Sequence, residues 1–233
     1  MTLLTVVKDV CATVGVAVPQ SVFSNINSNR TAQEMLSLAN EMAQRIAYDT
    51  RDWTALKTGA AVPGDGATGG FDLPNNFKRM LLTTNVRRLS MPTTPMRFVP
   101  DYDEWLLRAY SGPISPTGEW CIAGGKVYAR PVIAVGDHLQ YTYLDKNCIN
   151  LASGGRGDVF MSDLDSYVLD ERVLKLAMIW QWKAQKGSPY AEDMGSYGDA
   201  LTYAMGHDSP SPIVIGRMPI SASVRDTYPW ALP

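Results

Sequence analysis

The sequence predicts an α+β protein in which helices from both ends of the chain form one bundle around a β-rich insertion. Three observations lead there. Apolar residues recur at helical spacing in residues 1–53 and again in 158–206. Between them the pattern changes to short alternating runs broken by glycine. Beyond residue 206 come Pro210, Pro212, Pro219, Pro229 and Pro233, which forbid a long helix and leave an extended C-terminal arm. The expected organisation is therefore a bundle from 1–53 and 158–206, an insertion over 54–157 with one short helix, and an arm over 207–233.

Leu3, Val7, Val10 and Val14 make the first helical stripe, with Gly15 as its stop and Pro19 beyond. A polar loop, Ser24-Asn25-Ile26-Asn27-Ser28-Asn29, separates it from the second helix. Thr31-Ala32-Gln33-Glu34 fits a capping box, in which the threonine oxygen takes an orphan N–H and the glutamate reaches back. Met35, Ala39, Met42 and Ile46 continue the stripe towards Trp53.

Strand-like runs follow at Met80–Thr84, Lys126–Ala129 and His138–Tyr143. In the last, Leu139, Tyr141 and Tyr143 share one face. Gly124-Gly125 between two such runs is a hairpin signal, because glycine tolerates the positive φ of a tight turn. The short helix is expected at about 101–109. Helical periodicity returns near Ser166 with Leu169, Val173, Leu176, Ala177, Trp180 and Ala184, and ends at Gly187. Ser188-Pro189 suits a new helix start. Tyr190, Met194, Tyr197, Leu201 and Met205 carry that last helix to Gly206. Its Gly195 and Gly198 suggest close packing on another helix.

A hydrophobic share of 45% with 19% charged residues provides a substantial core. The net charge of −2 argues against tight binding of nucleic acid, which needs a basic excess to neutralise phosphates. Cys11, Cys121 and Cys148 lie far apart with no C-x-x-C pair, as expected of free thiols in a reducing compartment. The first residues carry no basic region ahead of a short apolar run, so no signal peptide and a cytoplasmic origin are expected. No apolar stretch reaches membrane-spanning length, and no membrane partner is expected.

The search for chemistry finds motifs in the wrong contexts. Gly64-Asp65-Gly66-Ala67-Thr68-Gly69 matches the dinucleotide fingerprint, but Pro63 precedes it and Phe71-Asp72-Leu73-Pro74 follows where a helix is needed. A strand-connecting loop is the better reading. Arg156-Gly157-Asp158 reads as a flexible approach to a helix. His138 and His207 belong to no ligand-spaced cluster. Asp158, Asp163, Asp165, Asp170 and Glu171 lack the spacing of a calcium loop and suit the start of a helix. Arg87-Arg88 and Lys78-Arg79 read as solvated faces. No catalytic residue, cofactor site or metal site is predicted, and the chain is expected not to be an enzyme.

The arm is different. Ile213, Val214, Ile215, Met218, Ile220, Tyr228 and Trp230 are apolar and β-prone, so the segment is expected to dock, preferably on a partner by adding a strand to a sheet edge. Trp182 lies off the main helical stripe, which suits either a subunit interface or burial under the insertion.

Three stretches together resemble a known family. They are Phe71-Asp72-Leu73-Pro74-Asn75-Asn76-Phe77-Lys78-Arg79-Met80, then Lys126-Val127-Tyr128-Ala129-Arg130-Pro131 with Leu139-Gln140-Tyr141-Thr142-Tyr143, then Ile179-Trp180-Gln181-Trp182-Lys183-Ala184-Gln185-Lys186-Gly187-Ser188-Pro189-Tyr190-Ala191-Glu192. Their order and spacing over about 31–206 resemble the head-to-tail adaptor, or connector, proteins of tailed bacteriophages, similar to tail tubular protein A-like adaptors. The resemblance implies a virion protein of the neck. It implies a ring, commonly a dodecamer, between the portal and the tail tube or nozzle proteins, with DNA as non-specific contents of its channel. It also suggests that the C-terminal arm clasps the portal or a neighbouring subunit. Two alternatives stand beside it: a stopper or tail-completion protein of the same neck, and a ligand-binding or enzymatic domain using the β insertion.

Overall fold

The computed structural model describes residues 1–24, 29–66, 70–81, 84–111 and 115–208, and shows a mixed α+β fold. Helix α1, Leu3–Val14, buries Leu3, Val6, Val7, Val10 and Cys11 on one face. Gly15 ends it in the left-handed region at φ 73°, where a Cβ would be strained.

Helix α2, Arg30–Asp49, starts two residues earlier than the capping box predicts. Its cap is Asn29, whose side chain accepts from the Ala32 N–H at 3.2 Å. Thr31 already lies within the first turn. Glu34 does not reach back but pairs outward, with Arg30 at 2.8 Å and with Lys186 at 2.8 Å. Trp53 follows the helix end and is buried, its indole N–H donating to the Ile46 carbonyl at 2.8 Å.

The β region comprises β1 (Lys57–Pro63), β2 (Gly70–Asp72), β3 (Phe77–Met80), β4 (Arg87–Arg88), β5 (Arg97–Phe98), helix α3 (Tyr102–Ser111), β6 (Glu119–Ala123), β7 (Lys126–Arg130) and β8 (His138–Asp145). One sheet has the order β1-β8-β3, with β4 also on β8. A second has the order β2-β7-β6-β5. The β6–β7 hairpin turns at Gly124 and Gly125, both at positive φ as the tight turn requires. The strand expected at Met80–Thr84 lies earlier: Phe77–Met80 finds the β8 ladder, and residues 82–83 fall outside the described residues. The two sheets enclose a core of Phe71, Trp120, Val127, Ile133, Leu139 and Tyr141.

Gly64 sits where this region closes. A Cβ there would meet the Ala134 carbonyl oxygen at 2.4 Å. Gly64→Ala is therefore expected to lower stability by about 1–3 kcal/mol, because backbone is the obstacle and cannot rotate away. Urea unfolding measures this. Gly59→Ala, which meets nothing within 4 Å, is the control.

Three short strands, β9 (Ile149–Asn150), β10 (Arg156–Gly157) and β11 (Ser166–Tyr167), form a third sheet. The helix expected from Ser166 begins later, because Ser166 and Tyr167 pair with β9 instead. Helix α4 spans Glu171–Gln185 and is capped by Asp170, which accepts from the Arg172 N–H at 2.7 Å. Helix α5 spans Ala191–His207. Its cap position is Tyr190, with no side-chain cap bond; Ser188 instead donates its N–H to the Lys183 carbonyl and closes α4. Gly206 does not stop α5, which runs one residue further to the Asp208 cap.

A second core joins α1, α2, α4, α5 and the third sheet. Val10, Met35, Ile46, Ile149, Tyr167 and Met178 are among its members. Helix α4 packs on α1, α2 and α5. That three-sided contact explains why Val173, Leu174, Ala177, Met178, Ile179 and Trp182 are all buried, a wider band than a single stripe predicts. Gly195 and Gly198 do not pack on a helix. Both are exposed, and a Cβ at either meets nothing within 4 Å.

Candidate functional site

The arm residues singled out by sequence, Ile213, Val214, Ile215, Met218, Ile220, Tyr228 and Trp230, lie outside the described residues. The root of the arm is well defined. The Asp208 carboxylate accepts from the Thr54 N–H at 3.0 Å, and Thr54 donates its hydroxyl to the Asp208 carbonyl at 3.1 Å. Arg51 sits 3.6 Å from the same carboxylate and donates to the Met205 carbonyl. The end of α5 is thus tied to the segment that leads into β1. Beside this root is a groove of about 510 Å³, lined by Trp53, Val168, Leu169, Tyr203, Ala204 and His207.

Trp182 is not an exposed interface residue in this chain. It is 7% exposed and belongs to the helical core, with the Lys186 ammonium 4.5 Å from its ring centre. Trp180 is the half-buried one, flanked by Tyr190 and Tyr197. Trp182→Ala is expected to cost about 3 kcal/mol in urea unfolding, as large core truncations do, and Trp180→Ala less than about half of that.

Large apolar side chains are exposed elsewhere. On β5 and α3, Phe98 is 50% exposed, Tyr102 38%, Leu106 41% and Leu107 67%. The opposite face explains how α3 is held: Trp105 is buried, with the Arg130 guanidinium 4.1 Å from its ring centre, and Arg108 bridges Glu104 and buried Glu119. Tyr190, Met194 and Tyr203 form exposed apolar positions along α5.

The acidic group between β9 and α4 is used by the backbone. Asp165, buried, accepts from the N–H groups of Ala152 (2.8 Å), Met161 (2.6 Å) and Ser162 (2.7 Å). Asp163 accepts from the Val22 N–H at 2.9 Å and from the Ser21 hydroxyl. Asp170 caps α4, and Glu171 opens it. The carbonyls of Asp163 and Asp165 also accept from the N–H groups of Leu4 and Leu3 at the start of α1. These carboxylates organise a loop that holds three elements.

All three cysteines are free and buried. Burial pushes the Cys148 and Cys121 thiols up to about 11 and also raises Cys11, so each is held neutral, against nucleophilic use. His138 opens β8, and His207 ends α5 against the Tyr203 ring. Among the described residues no group of three metal-ligating side chains comes together, and no helix is long and apolar enough to cross a membrane. Of the fingerprint loop, Gly64 and Gly66 are described; Gly66 N–H donates to the Ile133 carbonyl at 3.0 Å. Arg156 donates to the Ala55 carbonyl at 3.1 Å, so its tripeptide anchors the third sheet near β1. Lys78 lies over the Tyr48 ring, Arg79 pairs with Asp52, and Arg87 lines an approximately 500 Å³ groove with Asn85, Gln140 and Thr142.

Comparison with protein-family models finds no match, and comparison with curated proteins finds none either.

Proposed function

We propose that the protein is a structural subunit of a tailed-phage neck, an adaptor that forms a ring between the portal and the tail. In this reading α1, α2, α4 and α5 form one bundle built from both ends of the chain. Residues 54–157 are its β-rich insertion, and the C-terminal arm is its clasp. The observation that carries the reading is the exposed apolar surface of Phe98, Tyr102, Leu106 and Leu107. Exposed large apolar side chains on a surface suit an interaction site, because leaving them in water forfeits their burial.

Two further facts support it. The segments that resemble adaptors lie in β2 and β3, in the β7–β8 region, and in the α4–α5 helix pair, which Lys183 ties to Asp193 at 2.6 Å. A net charge of −2 offers passing DNA few phosphate-binding groups, which suits a channel wall.

The test is a Phe98→Asp, Leu107→Asp double variant mixed with portal rings. Assembly should weaken by at least about tenfold, as loss of central apolar anchors does, while the unfolding midpoint stays in place. Full-strength assembly by the folded variant removes this surface from the interface.

A further inference from the structure

Strand β1 is an open edge. It pairs with β8 from Lys57 to Pro63, and among the described residues no strand lies on its other side. Its flanks show which way its amides point. The Gly64 N–H donates to the Asp137 carbonyl on the β8 side, and the Lys57 N–H turns away to the Thr54 carbonyl. Alternation along the strand then aims the N–H groups of Gly59 and Ala61 outward. Pro63 stands in the same outward register, where a missing N–H removes no ladder bond.

The side chains agree with the backbone. Thr58, Ala60 and Val62 face the core yet are only partly buried, whereas Leu139, Tyr141 and Tyr143 opposite them are buried. The core under β1 is covered from one side only.

The chain holds a strand-sized segment within reach. Its arm leaves from Asp208, which is bonded to Thr54, three residues ahead of Lys57. The spacer Ser209-Pro210-Ser211-Pro212 spans about 13 Å when extended, against roughly 20 Å for the length of β1. Ile213 to Met218 is then free of proline, so its amides can pair. The next proline-free run, Ile220–Tyr228, begins up to about 36 Å from the root, far enough to meet another molecule.

We propose that residues 213–218 of this chain add to the edge of its own β1 as a parallel strand. The direction follows from the root, which lies at the Lys57 end. Ile213 and Ile215 would then lie beside Thr58 and Ala60 on the core face, and Val214 and Gly216 beside the small Gly59 and Ala61. This holds whatever the chain assembles with. It assigns Ile213, Val214 and Ile215 to the chain's own sheet and leaves Ile220, Tyr228 and Trp230 to a partner.

Hydrogen exchange on the full chain at low concentration tests it. The Gly59 and Ala61 amides should exchange at least about tenfold more slowly than exposed amides, at a rate independent of protein concentration. An Ile213→Asp, Ile215→Asp variant should release them while the β8 amides keep their protection. Fast exchange of Gly59 and Ala61 in the unaltered chain overturns the proposal. Protection that grows with concentration also overturns it, and makes a second copy the donor of the strand. Neither result depends on portal binding, so the neck assignment stands or falls separately.

Discussion

Cutting the chain after Asp208 is expected to abolish attachment to portal rings while leaving the helices and sheets folded. The position of the cut matters. Asp208 holds the Thr54 N–H and faces Arg51, so a cut before it would loosen the approach to β1. Among the described residues the buried core ends at Ala204. Urea unfolding of the shortened chain should stay within about 1–2 kcal/mol of the full chain. Its co-sedimentation with portal rings should fall to background, since the removed residues include the apolar set Ile220, Tyr228 and Trp230. Retained co-sedimentation would remove the arm from the portal contact and leave that contact to the body of the protein.

Asp165→Ala is expected to be strongly destabilising, at about 3 kcal/mol, because it takes the acceptor from three part-buried N–H donors at once. The donors belong to Ala152, Met161 and Ser162, and the loop they define positions the carbonyls that bond α1. Asp165→Asn should recover part of the loss, since an amide oxygen still accepts but its NH₂ group meets a donor. Denaturant unfolding of both variants reads the difference. A cost below about 1 kcal/mol for the alanine variant would show that water satisfies these donors equally well.

Much of the helical framework is legible in the sequence because its signals are local. Gly15 ends α1, and the Gly124-Gly125 turn places β6 and β7, for reasons contained within a few residues. Other features depend on distant partners. Asn29 and Thr31 are both competent caps, and only the conformation at Asn29 decides between them. Ser166 and Tyr167 read as helix until Ile149 and Asn150 arrive to pair with them. Trp182 lies off the main stripe and suits either an interface or burial under the insertion; α4 is packed on three sides, and that packing buries it in the helical core. Gly195 and Gly198 suggest a helix contact, and the described neighbours leave both in open space. The acidic residues before α4 look like a loose cluster, whereas their use depends on backbone N–H groups that spacing does not reveal.

Electron microscopy of the full-length protein incubated with portal rings examines the neck assignment most directly. An extra ring of density seated beneath each portal is the outcome the adaptor role demands. Bare portals beside solitary copies of the chain, at concentrations where both are folded, would contradict it.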